Sequence, residues 1–372
     1  MTIGIVGLSA CTRSVDDTTP STAGNHGTDA ARHSQNAEKL AKPMWTQFEI
    51  NSSVHALAFR GTDVWVGTEA GLLRYDQVRD EVTAKYDTGS GLLSNNVMSL
   101  DMDSDGSLWV GTHGGGLTHI SDTGVWSRYS VPDLGDSFVY QALPDVMGRG
   151  LWVATWSGLS HLENGAWRTY TTADGLVDDW VYAMVQDDDG TLWLGTEGGV
   201  SVFDGKTSWS TYTHADGLGA GKDRVEDYEA IGNPSRHHRT APGKEATGYN
   251  PNYVLAALID GDGNKWFGTW GAGLSRFDGN SWVTYTHTEG LGGNFVTDLH
   301  ADADGTIWAT TDGGVSVFRG GKWQNFDGDD GLISDAVFDV TTDARGRKWF
   351  GTMAGVSRLD GFMDREHVGG QI

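Results

Sequence analysis

One short motif recurs along most of this chain and limits its folding options more than any other feature. It first reads Val64-Trp65-Val66-Gly67-Thr68 and returns centred on Trp109, Trp152, Trp193, Trp266, Trp308 and Trp349. Successive tryptophans lie 44, 43, 41, 73, 42 and 41 residues apart. The outlying interval is one repeat plus an insertion of about thirty residues. A unit near 42 residues cannot bury a core by itself, so neighbouring units must stack. Glycine is 54 of 372 residues, tryptophan 16 and proline only 7. Many turns combined with many large aromatics favour short strands over long helices.

Each unit divides into four strands. In the second, Val97 to Met102 is followed by an Asp103-Ser104-Asp105-Gly106 turn, then Leu108 to Thr112, Leu117 to Ser121 and Val125 to Ser130. The first strand is apolar along most of its length, as expected when both faces pack on neighbours. The last carries a W-x-x-Y/F pair, which recurs at Trp126/Tyr129, Trp167/Tyr170, Trp209/Tyr212, Trp282/Tyr285 and Trp323/Phe326, with a degenerate copy at Val82 to Tyr86. No such strand follows the seventh unit, but one precedes the first, at Trp45 to Phe48. The pattern predicts an all-β, seven-bladed β-propeller of four-stranded antiparallel blades over about 44–361. Its seventh blade would take its outer strand from the N-terminal side, which closes the ring and removes an open seam.

The run W-[VLF]-G-T-x-x-G-[LV]-[ST], with D-x-D-G before it and D-G-L after the fourth strand, resembles the two-component regulator propeller repeat family. The resemblance covers all seven units and implies a bacterial periplasmic or extracellular propeller of the ligand-sensing type. It brings no catalytic residues, so function has to be read from the site.

In a propeller, the loops between second and third strands share one face with the loops between blades. On this top face, the residue after each motif threonine is Glu69, His113, Trp156, Glu197, Trp270, Asp312 and Met353. The flanking motif hardly varies while these positions differ in charge and size. Glu69, His113, Trp156, Glu197, Trp270 and Asp312 are therefore the expected ligand-binding set, suited to a polar ligand with apolar faces such as a glycan stacking on tryptophan. The insertion, about 219–253, joins blades four and five over the same face. It carries Tyr228 and the basic cluster Arg236, His237, His238 and Arg239, expected to act as a lid or a partner contact.

The Asp101-x-Asp103-x-Asp105-Gly106 run resembles the start of a calcium loop, with similar pairs at Asp187/Asp189, Asp260/Asp262 and Asp302/Asp304. Its twelfth position is Thr112 rather than glutamate, and the motif repeats at one hairpin, so turn chemistry is the expected role. No metal or cofactor is expected.

At the N-terminus, an apolar run ends in Leu8-Ser9-Ala10-Cys11, which resembles a bacterial lipobox, and Cys11 is the only cysteine. Residues 1–11 read as a lipoprotein-type signal segment, 12–43 as a flexible polar tether and 362–372 as a tail. Acidic residues number 50 against 26 basic, a net charge of −24 with no long basic run, which argues against nucleic-acid binding. No stretch of eighteen apolar residues occurs. The expectation is an exported, lipid-anchored propeller binding a small polar ligand or a protein partner through its top face. Two competing expectations are a metal-assisted lyase or hydrolase using His113 and Glu197, and a structural subunit of a cell-surface assembly. No H-E-x-x-H or G-x-S-x-G signature supports catalysis.

Overall fold

The computed structural model describes residues 43–226 and 249–362, with Phe362 described in its backbone only. Among them, seven four-stranded antiparallel sheets form the blades of a propeller. The innermost strands are Val54–Arg60, Val97–Met102, Val139–Pro144, Val181–Gln186, Asn250–Ile259, Val296–Ala301 and Val337–Thr342. They surround an axial cavity of about 140 Å³.

The recurrent motif builds this ring in two ways. Its tryptophan lies on the second strand, between blades, and stacks on the outer-strand tyrosine: Trp193 on Tyr212 at 8° and Trp266 on Tyr285 at 17°. Its glycine lets the next blade come close. A Cβ on Gly195 would stand 2.6 Å from Val254 Cγ1, and one on Gly268 would stand 2.7 Å from Val296 Cγ1. Burying such residues supplies the non-directional part of the stability.

The outer strands form a second aromatic circuit. Each tyrosine touches the tryptophan of the next blade: Tyr86 meets Trp126, Tyr129 meets Trp167 and Tyr285 meets Trp323. The same contact joins Phe326 of blade six to Trp45. Trp45 lies on the strand Pro43–Glu49, which pairs antiparallel with Gly355–Phe362 and completes blade seven. Closure by the N-terminal strand is thus realised, and Phe48 on that strand stacks on Trp349 at 5.3 Å.

Polar latches tie adjacent blades along the axis. Asp339 accepts the Leu57 amide at 3.1 Å, Asp101 the Ala142 amide at 3.0 Å, Gln141 the Met184 amide at 2.6 Å and Asp298 the Val340 amide at 2.9 Å. Asp101 therefore belongs to the channel wall and takes no part in the calcium-like turn that its spacing suggested. The D-x-D-G turns do more than reverse the chain. In three of them the first aspartate accepts the indole N–H of the motif tryptophan six residues on, at 2.8 Å for Asp187/Trp193, 2.7 Å for Asp260/Trp266 and 2.7 Å for Asp302/Trp308, and Asp343 of the related Asp343-Ala344-Arg345-Gly346 turn does the same for Trp349 at 3.0 Å. The second satisfies a turn amide at Asp105, Asp189 and Asp304.

Candidate functional site

The motif threonine sets the top-face loops. Its hydroxyl donates to the glycine carbonyl across the turn in all seven blades, from Thr68–Gly71 at 2.8 Å to Thr352–Gly355 at 2.9 Å. The next residue is then clamped to its own blade's inner loop. The amides of Glu69, His113, Trp156, Glu197, Asp312 and Met353 donate to the carbonyls of Ser53, Asn96, Phe138, Trp180, Phe295 and Ala336. The sequence-predicted positions thus stand in one ring around the mouth of the axial channel.

Their side chains are not equivalent. Glu69 is exposed on the rim, 3.6 Å from His55. His113 packs edge-on against Phe138 at 4.2 Å, and burial lowers its pKa. Trp156 is half-buried between Phe138 at 4.8 Å and Trp180 at 5.0 Å. Glu197 is half-buried, with the Tyr182 hydroxyl donating to it at 3.4 Å. Desolvation and then the Asp178 charge raise its pKa.

Two residues sit deeper than the sequence suggests. Trp270 is only 7% exposed, stacked on Tyr253 at 5.3 Å and edge-on to Phe295 at 5.1 Å. It walls the mouth and presents no open face for stacking. Asp312 is 1% exposed and accepts the Phe295 amide at 3.2 Å, holding the inner loop. His113 and Glu197 stand on blades two and four, with Trp156 and Trp180 between them in ring order. Among the described residues, no group of three His, Cys, Asp or Glu side chains is placed to hold a metal ion.

Sequence reasoning missed the second half of the mouth. The residue before each innermost-strand valine is Ser53, Asn96, Phe138, Trp180, Tyr253, Phe295 and Ala336. Aligning that column across the repeats would have exposed it, as it did for the residue after threonine. Together the two columns make the mouth asymmetric. Blades three to six carry Phe138, Trp156, Trp180, Tyr253, Trp270 and Phe295, and blades seven, one and two carry small or polar residues apart from Met353. Tyr140 and Tyr182 extend the aromatic wall inward, 4.9 Å apart.

The insertion leaves from this wall. A short 3-10 turn, Lys222–Arg224, and the start of an inner strand at Asn250 trim its irregular part from both sides. Arg224 pairs with Glu289 at 2.7 Å, and the Tyr249 hydroxyl donates to the Ala220 carbonyl at 2.8 Å. Tyr228, Arg236, His237, His238 and Arg239 lie outside the described residues, as does Cys11.

Fold and mouth define a seven-bladed propeller with an aromatic-walled opening on one face. Three segments, residues 91–114, 175–198 and 290–313, match the family described as two component regulator propeller. No curated protein matches the sequence. Among solved structures, the extracellular domain of a hybrid two component system from B. thetaiotaomicron superposes with TM-score 0.67 at 21% identity. That match covers 83% of this chain and 39% of the other, so this chain spans well under half of that domain's length. A catalytically inactive virginiamycin B lyase from Staphylococcus aureus with quinupristin gives 0.64 at 12% identity, over 86% of this chain and 99% of the other. YCF48 bound to D1 peptide gives 0.57 at 12% identity, over 86% and 97%. At these identities the likeness is one of fold.

Proposed function

We propose that this chain is an exported recognition propeller that takes a ligand, or a segment of a protein partner, at the mouth of its top face. The observation that carries this reading is the one-sided aromatic wall of blades three to six, set beside the polar residues Ser53, Glu69, Asn96 and His113 of blades one and two. Seven near-identical repeats would give a symmetric mouth if packing were the only demand, whereas a ligand is recognised by a few convergent polar groups on an apolar wall. Within the proposal, Cys11 carries the lipid that tethers the domain, and the insertion contributes a partner contact over the same face. Sensor-linked propellers of this family support an extracellular setting.

The test compares Trp156→Ala and Trp180→Ala with the parent chain against a glycan array and in native pull-downs from detergent-solubilised cells. Loss of a saturable ligand or stoichiometric partner in the variants, with melting temperatures that still report a folded ring, is the expected result. Parent-like binding in both folded variants overturns the mouth as the site. Deletion of 227–248 separates partner contact by the insertion from binding in the mouth, and Cys11→Ser should release the protein from the membrane fraction.

A further inference from the structure

The face opposite the mouth carries an asymmetry of its own. There each innermost strand turns back into the second strand of its blade. In blades two, four, five, six and seven the third residue of that turn is charged: Asp105, Asp189, Asp262, Asp304 and Arg345. Blade three places Met147 there, preceded by Val146, and the two side chains are 52% and 53% exposed. Their exposure is built in. The Val146 amide donates to Gln186 Oε1 of blade four at 2.8 Å, the Met147 amide to Asp145 Oδ1 at 2.8 Å and the Arg149 guanidinium to Asp145 Oδ2 at 2.9 Å. These bonds fix the turn and leave its two apolar side chains towards solvent. Gly190 of blade four makes room for one of them, since a Cβ there would stand 2.9 Å from Met147 Cγ.

Leu143 and Pro144, just before this turn, line a pit of about 380 Å³ at the same end of the axis, together with Phe59 and Met102 of blades one and two. A fixed apolar pair beside an apolar pit has little ordering left to lose when it is covered. The turns on either side set its charge preference. Asp103-Ser104-Asp105-Gly106 of blade two and Asp187-Asp188-Asp189-Gly190 of blade four hold five carboxylates and no lysine or arginine. Lys265 pairs with Asp187 at 3.0 Å, and Arg149 is held by Asp145. A second copy of this chain in a two-fold contact would bring the same carboxylates against them. Anionic lipid headgroups would be repelled as well. A basic protein segment is attracted.

We infer that this face docks a protein segment in which apolar residues are flanked by lysine or arginine. Its apolar side chains cover Val146 and Met147 and enter the pit, and its cations face Asp103, Asp105, Asp188 and Asp189. The surface lies on the far side of the ring from the mouth and stands independently of it.

Calorimetric titration of the full chain with three peptides tests this: acetyl-KKLFLKK-amide, its acidic counterpart acetyl-EELFLEE-amide and its polar counterpart acetyl-KKSSSKK-amide. The first should bind tenfold or more tightly than either of the others, and added salt should narrow its lead over the acidic peptide. Val146→Ser/Met147→Ser should weaken it at least tenfold with an unchanged melting temperature. Asp105→Asn/Asp188→Asn should shrink the preference for lysine over glutamate and keep the preference for leucine and phenylalanine over serine. Equal binding of all three peptides, or binding of none, overturns the inference. Loss of the first peptide in folded Trp156→Ala, with parent affinity in Val146→Ser/Met147→Ser, moves the peptide to the mouth and also overturns it. So does co-flotation with phosphatidylcholine or phosphatidylglycerol vesicles that Val146→Ser/Met147→Ser abolishes, which would make the occupant a lipid surface. A concentration-dependent dimer dissolved by the same substitutions would make it a second copy, and overturns the inference in the same way.

Discussion

Asp101 carries the clearest pH dependence in the ring. Burial in the channel wall pushes its pKa up to about 7, and the Asp298 charge adds to the effect. The folded carboxyl therefore keeps its proton across a range in which the unfolded one, near pH 4, has lost it. Asp101's own contribution to stability is fully present below about pH 4 and is lost as pH rises towards 7, by roughly 2–4 kcal/mol. Asp101→Asn keeps an acceptor for the Ala142 amide and removes the charge. It should match the parent at pH 4.5 and melt several degrees higher at pH 8, which thermal denaturation at the two pH values checks. Gly195 makes a different single-residue demand, because a Cβ there meets Val254 at 2.6 Å. Gly195→Ala should cost about 1–3 kcal/mol through overpacking, read by urea denaturation. Blade three already carries Ala154 at this position, so Ala154→Gly should be milder.

The strand Pro43–Glu49 is the element on which closure depends. It pairs with Gly355–Phe362 and inserts Phe48 between Trp349 and Tyr75. Phe48→Ala should destabilise the ring by about 3–5 kcal/mol. Removing residues 43–49 altogether would bare the edge of Gly355–Phe362, and light scattering should then report association through that edge. This element was legible in the sequence because the W-x-x-F pair is missing at one end and present at the other. The indole bonds to Asp187, Asp260, Asp302 and Asp343 were not, since a turn aspartate looks alike whether or not a tryptophan N–H reaches it. Asp260→Ala should accordingly cost about 1–3 kcal/mol or more by denaturation, because it orphans the buried Trp266 indole donor together with the Asp262 and Asn264 amides of the turn.

At the scale of the whole molecule, the ring separates residues that share one column of the repeat. Trp156 and Trp270 follow the same motif threonine, yet one is half-buried at the mouth and the other is packed under Tyr253 and Phe295. Trp270→Ala should lose about 3–5 kcal/mol of stability. Trp156→Ala should keep most stability and lose ligand, so parallel melting and binding measurements distinguish the two. Period, strand count, closure and the face on which Glu69 to Asp312 stand were determined by the sequence, because each follows from local spacing and from the alternation of buried residues. The depth of Trp270 and Asp312, the place of Asp101 in the channel and the joining of Phe138, Trp156 and Trp180 into one wall were decided only by the tertiary structure. These depend on which side chains of different blades converge at the axis, a relation that no spacing within a single repeat contains.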